Sequence, residues 1–106
     1  MSRIDTLLDR RASERRSVAQ ACASRIVEEA KSHGVDISVV GSLAKGRFRV
    51  HSDIDLLVRG STNPARRAML EKLVANQLRA TELPYDLIFE ADISPERVQE
   101  LLHDCV

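Results

Sequence analysis

The stretch of residues 37–58 reads ISVVGSLAKGRFRVHSDIDLLV and carries the signals for two neighbouring strands and the turn between them. Its first four residues, Ile37–Val40, are rich in β-branched side chains and end at Gly41, which predicts a short strand followed by a turn. Its last six, Asp53–Val58, begin with two acidic residues and continue as an apolar run, which predicts a second and buried strand. A single helical turn over residues 42–46 is predicted to lead from the first strand into an irregular loop.

Helical patterns lie on both sides of this stretch. Apolar side chains recur every four residues at Val18, Cys22, Ile26 and Ala30, which predicts one long N-terminal helix over about residues 3–33. After the second strand, Asn63-Pro64 reads as a helix cap followed by proline at the first helical position. The helix that begins there is predicted to continue to about Ala80.

The C-terminal part of the sequence repeats the alternation. Tyr85–Phe89 predicts a third strand, and Ser94-Pro95 is a second cap-and-proline signal that opens a last helix. The order α-β-α-β-α-β-α predicts an α/β (α+β) fold, with a small mixed sheet of three or slightly more strands backed by helices. At 106 residues, the chain is expected to be a single domain spanning 1–106.

Composition narrows the classes of function. Sixteen basic residues balance sixteen acidic ones, and aromatic residues make up only 3% of the chain. Neither a global positive field nor a set of stacking rings is available, so extended binding to nucleic acid is not expected. No apolar stretch approaches the length of a membrane span, so we expect no membrane association and a cytoplasmic location.

Three acidic residues stand where strands are predicted. Asp53 and Asp55 are two residues apart, so an extended backbone points both carboxylates to one face. Asp86 interrupts the otherwise apolar third strand and reaches the same place if that strand pairs beside the second. Close carboxylates repel one another unless a cation neutralises them, and Mg²⁺ with a substrate phosphate suits such a set.

The turn after the first strand has the residues of a phosphate-binding segment. Gly41 lets the backbone approach a ligand without a Cβ in the way, and Ser42 supplies a hydroxyl. The helical turn behind them aims N–H groups at an anion. Lys45, followed by Arg47 and Arg49, can meet triphosphate oxygens.

Structural alternatives remain open for each feature. Gly41-Ser42 fits a plain strand-to-helix turn. Asp53 and Asp55 fit a turn and an edge strand facing water, and Asp86 fits a solvated edge.

Taken together, these residues resemble the signature of the DNA polymerase beta-like nucleotidyltransferase superfamily. The resemblance rests on Gly41-Ser42, ten intervening residues and then Asp53-Ile54-Asp55. It extends to Gly46, Ser52, Leu56 and Asp86. The chain is most similar in size to the minimal nucleotidyltransferases of that group.

The resemblance implies a nucleotidyltransferase fold and a metal-dependent reaction. Asp53, Asp55 and Asp86 would be the catalytic, metal-binding acids and would hold two Mg²⁺ ions, with a nucleoside triphosphate, ATP by expectation, as substrate. Gly41, Ser42, Lys45 and Ser52 would bind the nucleotide. Many relatives carry Arg where this chain has Lys45.

The resemblance also implies a partner, because many minimal nucleotidyltransferases are antitoxins encoded beside an all-helical ribonuclease toxin of the HEPN type. The expected reaction is transfer of AMP to a hydroxyl of that protein. One alternative is a binding module that neutralises the toxin by contact, with little or no catalysis. Another is transfer to a small molecule or an RNA end, and a homodimer stays open.

Overall fold

A computed structural model of the protein describes residues 3–103. Its α-helices and β-strands follow the predicted order α-β-α-β-α-β-α. They are α1 (Arg3–Ser32), β1 (Ile37–Val40), α2 (Gly41–Ala44), β2 (Ile54–Val58), α3 (Pro64–Leu78), β3 (Tyr85–Phe89) and α4 (Pro95–His103), with a 3₁₀ turn at Glu90–Asp92 between β3 and α4.

The sheet has three strands in the order β1-β2-β3, which confirms the prediction of a small mixed sheet. β1 pairs antiparallel with β2, and β2 pairs parallel with β3. β2 is therefore the central strand, as its apolar run predicted. The carboxyl end of β1 and the amino ends of β2 and β3 meet at one end of the sheet. β2 begins at Ile54, so Asp53 lies just before the strand and not within it as predicted.

The larger core lies between one face of the sheet and helices α1 and α3. Alternate residues of β2 (Ile54, Leu56 and Val58) point into it and are fully buried. The helices contribute the buried side chains Ala19, Cys22, Ala23, Ile26, Ala30, Leu70, Leu73, Val74 and Leu78. The prediction that Val18 belongs to the packing stripe of α1 is wrong, because the buried stripe is centred on its neighbours and leaves Val18 43% exposed.

The other face of the sheet is covered by α4. Val98 and Leu101 of this helix pack against Val40 and Leu57 of the strands. Because side chains alternate along β2, Asp55 points to the same face as Leu57. The nine-residue α4 buries the apolar part of this face, and the acidic part lies at its margin.

Caps and ion pairs fix the ends of these elements. The Asn63 side chain accepts a hydrogen bond from the Arg66 N–H at 2.8 Å, which confirms the predicted cap of α3. Beyond β3, Glu90 accepts from Arg59 and from the Gly60 N–H. The Gly60 bond, and after it the Arg59 bond, hold the pKa of Glu90 below its usual value.

A second pair closes the same end of the sheet. Arg67 donates two hydrogen bonds to Asp92, at 2.7 and 2.6 Å, and its guanidinium lies 4.4 Å from the centre of the Phe89 ring. Glu90 and Asp92, the two acids that follow β3, thus form ion pairs with arginines. They lie at the opposite end of the strands from Asp53, Asp55 and Asp86. Among the helices of residues 3–103, none combines the length and the hydropathy that crossing a bilayer requires.

Candidate active site

Strand register brings two of the three predicted acids side by side. Asp55 of β2 and Asp86 of β3 are directly paired, so their Cα atoms are separated by about one strand spacing, roughly 4.8 Å. Paired residues of parallel strands point to the same face, so both carboxylates leave the sheet on the α4 side. Asp53 lies two residues before Asp55 in the segment that enters β2.

Asp55 is close enough to the other two acids for their charges to affect its pKa. Burial raises the pKa of Asp55 above its ordinary value of 3.8, and the negative charges of Asp86 and then Asp53 raise it further. Asp53 and Asp86 are exposed, whereas Asp55 is half-buried. Asp55 is therefore the inner member of an acidic group that opens to solvent.

Gly41 packs directly on this inner carboxylate. Its φ of +72° lies in the left-handed region that favours glycine. A Cβ placed on Gly41 would overlap the Asp55 Oδ2 atom and would lie 3.1 Å from its Cγ. The turn after β1 thus needs glycine for two separate reasons, and it places Gly41 against the Asp55 carboxylate.

The α2 turn leads from this contact toward the basic residues. The Lys45 N–H donates to the Gly41 carbonyl at 3.2 Å and the Arg47 N–H to that of Ser42 at 2.8 Å. Gly46, at φ +71°, ends the turn. Lys45, Arg47 and Arg49 are exposed beyond it, where cationic side chains can meet an anionic substrate in solvent.

Two contacts that hold this loop were not predicted from the sequence. Phe48 is 1% exposed and belongs to the larger core, so the middle of the loop is anchored inside the protein. Arg16 of α1 donates a hydrogen bond to the Gly46 carbonyl at 3.3 Å. An isolated aromatic residue among basic ones was the available signal for Phe48, whereas the sequence offers no signal for a contact between residues 30 positions apart.

Ser52 has an observed structural role. Its hydroxyl accepts from the Arg49 N–H at 2.8 Å, and its own N–H donates to the Arg49 carbonyl at 3.1 Å. These two bonds close a turn that delivers the chain to Asp53. Nucleotide binding by Ser52 stays a prediction.

The donor set fits a divalent cation whose shell is completed by substrate. Hard carboxylate oxygens suit Mg²⁺, and among the ion pairs between described residues none neutralises the three aspartates. Within residues 3–103, no three His, Cys, Asp or Glu side chains are already arranged as a metal-holding group. Mg²⁺ characteristically takes one or two protein carboxylates and fills its remaining positions with water and phosphate. The paired residues Asp55 and Asp86 would supply such carboxylates.

A family model for the nucleotidyltransferase domain matches residues 23–106, which include the whole sheet and all of the candidate site residues. The chain belongs to this family. It is a nucleotidyltransferase. The match begins within α1, so the first part of that helix lies outside the region the family shares.

A solved structure agrees with this assignment at the level of the fold. A protein described as a minimal nucleotidyltransferase superposes with a TM-score of 0.67 and 23% sequence identity, over 86% of this chain and 93% of that one. Curated proteins yielded no match. The nucleotidyltransferase fold predicted from the sequence is therefore confirmed, with β2 central and the acidic residues at the amino ends of the parallel pair.

Two cavities of this nucleotidyltransferase lie beside α1. An open groove of about 570 Å³ runs between α1, β1 and α2, and Val27, Val39 and Leu43 are among its lining residues. It lies on the α1 side of the sheet, whereas the aspartates point to the α4 side. A second cavity of about 480 Å³ lies between the first half of α1 and residues 49–52, directly before Asp53.

Proposed function

We propose that this nucleotidyltransferase transfers AMP from ATP to a protein hydroxyl in a Mg²⁺-dependent reaction. The observation that carries the proposal is the position of Asp55, which is half-buried, packs against Gly41, and has its pKa raised by burial first and then by the charges of Asp86 and Asp53. Carboxylates that raise the pKa of a neighbouring carboxylate disfavour its ionised form unless a counter-ion is present. Such a group is useful where a cation and an anionic substrate arrive together.

Each residue then has a role. Asp53, Asp55 and Asp86 would hold Mg²⁺, which when bound neutralises charge on the triphosphate and on the departing pyrophosphate. The backbone at Gly41, the Ser42 hydroxyl and the Lys45 ammonium bind phosphate oxygens. The acceptor oxygen attacks the α-phosphorus in line, the bond to the β-phosphate oxygen breaks, and pyrophosphate leaves.

Asp86 is the residue that we propose as acceptor for the proton of the attacking hydroxyl. It is exposed, whereas its strand neighbour Asp55 is half-buried, so a protein acceptor can reach it from solvent. The reaction leaves AMP esterified to the acceptor and a proton on the carboxylate. Most of the rate gain would come from positioning and charge neutralisation.

The acceptor that we propose is an all-helical HEPN-type ribonuclease toxin, which would make this protein the antitoxin of the pair. Support comes from the resemblance to minimal nucleotidyltransferases and from the exposed position of Asp86. The test is incubation of the purified protein with α-labelled ATP, Mg²⁺ and the product of the adjacent gene. Label should appear on that product with the native protein and with Asp36→Asn, an exposed acid before β1, but not with Asp55→Asn.

A second function, neutralisation of the toxin by contact alone, is favoured by the surface of α1. Leu7 and Val18 are 52% and 43% exposed there, and the groove of about 570 Å³ runs along the same helix. The two functions differ in a protection assay with the double variant Asp53→Asn, Asp55→Asn. Protection by the double variant supports neutralisation by contact, and loss of protection with retained binding supports catalysis.

A further inference from the structure

The cavity between the first half of α1 and the loop that precedes Asp53 has a lining that no step of the reaction above uses. Its volume of about 480 Å³ is within the usual range for small-molecule sites. Asp9 and Ala12 line it from the helix, and residues 49–52 line it from the loop. Ser52 of the lining is followed directly by Asp53, so one wall of the cavity and the first of the three acids belong to the same stretch of chain.

Two positions of this wall are fixed by contacts elsewhere. Phe48, next to Arg49, is anchored in the core, and Ser52 is bonded to Arg49 through the two hydrogen bonds of the turn. Arg16 holds α1 to the same loop through the Gly46 carbonyl. The helix and the loop therefore form a preformed cleft, which favours binding since little ordering is needed when a ligand enters.

The described lining carries charges of both signs, which disfavours a simple anion as the ligand. Arg49 and His51 supply donors on the loop side, but Asp9 supplies an acceptor on the helix side and would repel a phosphate. Ala12 and Val50 add apolar side chains to the same lining. A flat, apolar group with hydrogen-bond donors on its edge matches this lining, and a guanidinium such as that of Arg49 stacks on flat rings.

We propose that this cavity is the nucleobase subsite of the enzyme, and that Asp9 selects a base by accepting a hydrogen bond from an exocyclic amino group. The inference rests on the proposed function, since it takes the triphosphate to lie at Gly41–Lys45 and the aspartates. It adds a residue that determines nucleotide specificity. It also gives a role to a part of α1 that lies outside the region matched by the family model, residues 23–106.

The test compares ATP with ITP, which carries a carbonyl oxygen where adenine carries the amino group. Binding of each Mg²⁺ complex is measured by calorimetry on the full-length protein, with Mg²⁺-tripolyphosphate as a probe for the phosphate site alone. The native protein should bind ATP about tenfold more tightly than ITP, the discrimination expected when a partly solvated, charge-assisted hydrogen bond is lost. Asp9→Asn should reduce the ratio to about threefold or less, because an amide can serve either base.

Two further variants separate the subsite from a general effect on the fold. Ala12→Leu fills the cleft from the helix side and should weaken ATP binding about tenfold or more while leaving tripolyphosphate binding unchanged. Glu14→Gln, an exposed acid on the same helix, removes one negative charge away from the cavity and should leave the ratio of ATP to ITP affinity unchanged.

Each outcome is decisive. Equal affinities for ATP and ITP in the native protein, unaltered discrimination in Asp9→Asn, or unaltered ATP binding in Ala12→Leu would each overturn the subsite while leaving the proposed function intact. If neither ATP nor tripolyphosphate binds with Mg²⁺, the proposed function fails and the subsite fails with it.

Discussion

Replacement of Gly41 by alanine tests the central contact of the site, because it introduces a methyl group where the Asp55 carboxylate lies. Two costs are expected. The left-handed backbone, at φ +72°, costs an alanine about 1–2 kcal/mol. The overlap of the new Cβ with Asp55 Oδ2, and its 3.1 Å approach to Cγ, force the carboxylate to move and add about 1–3 kcal/mol.

Gly34 offers a matched control for the backbone cost. It has a φ of +76°, and a Cβ there would meet no atom within 4 Å. Gly34→Ala should therefore lower the free energy of unfolding by about 1–2 kcal/mol, the strain of the backbone alone. Urea denaturation of both variants isolates the contact with Asp55 as the difference, which we expect to be about 1–3 kcal/mol.

Activity should separate the two variants more strongly. A carboxylate displaced by about 1 Å from its working position costs on the order of 100-fold in rate. Gly41→Ala should lose that much in labelled AMP transfer, and Gly34→Ala should keep the native rate because it lies at the end of α1. Equal free energies of unfolding and equal rates for the two variants would refute the claim that position 41 must be glycine to leave room for the Asp55 carboxylate.

Three other predictions follow from the same geometry. The pKa of Asp55 is raised in the folded state, so the native protein holds a proton on Asp55 more tightly than the unfolded chain does. Ionisation of Asp55 therefore destabilises the fold as the pH rises through the folded-state pKa. Asp55→Asn should therefore raise the Tm at pH 7 while abolishing transfer, and the difference should disappear below about pH 4; a lower Tm at pH 7 would contradict this. Mg²⁺ and ATP together should stabilise the native protein by about 2.7 kcal/mol at 100 times the Kd, which thermal denaturation would show as a higher Tm. EDTA or Asp55→Asn should remove this stabilisation. Phe48→Ala should lower the free energy of unfolding by about 3–5 kcal/mol in urea, and an exposed position for residue 48 would instead give a change near zero.

Much of the fold could be predicted because local signals and hydrophobic periodicity agree in this chain. β1 and β3 have the predicted bounds, and both proline-led helices begin where their caps place them. The error at Val18 arose because residues spaced by four drift around an α-helix, which has 3.6 residues per turn. The pattern therefore did not tell whether Val18 or its neighbour Ala19 faces the core, and Ala19 does. Asp53 was placed inside β2, but the hydrogen bond from the Ile54 N–H to the Pro84 carbonyl marks where pairing with the next strand begins.

The candidate site was predictable as a set of residue types, and its assembly depended on pairings the sequence does not state. That Asp86 lies opposite Asp55 follows from the register of β2 and β3, which is fixed by long-range packing. The contact of Gly41 with Asp55 depends on β1 running antiparallel, a choice that the strand sequence leaves open. The cleft at Asp9 could not be foreseen, because it joins two segments separated by some 40 residues.

The burial of Phe48 has a consequence for how the enzyme turns over. A segment whose central ring is part of the core cannot swing open without exposing that core. The hydrogen-bonded amides of Arg47, Arg49 and Ser52 should therefore exchange more slowly than those of a mobile loop. Substrates would then enter and leave past a loop that stays in place. Loop closure, which limits the rate of many enzymes, would not be the rate-limiting step here.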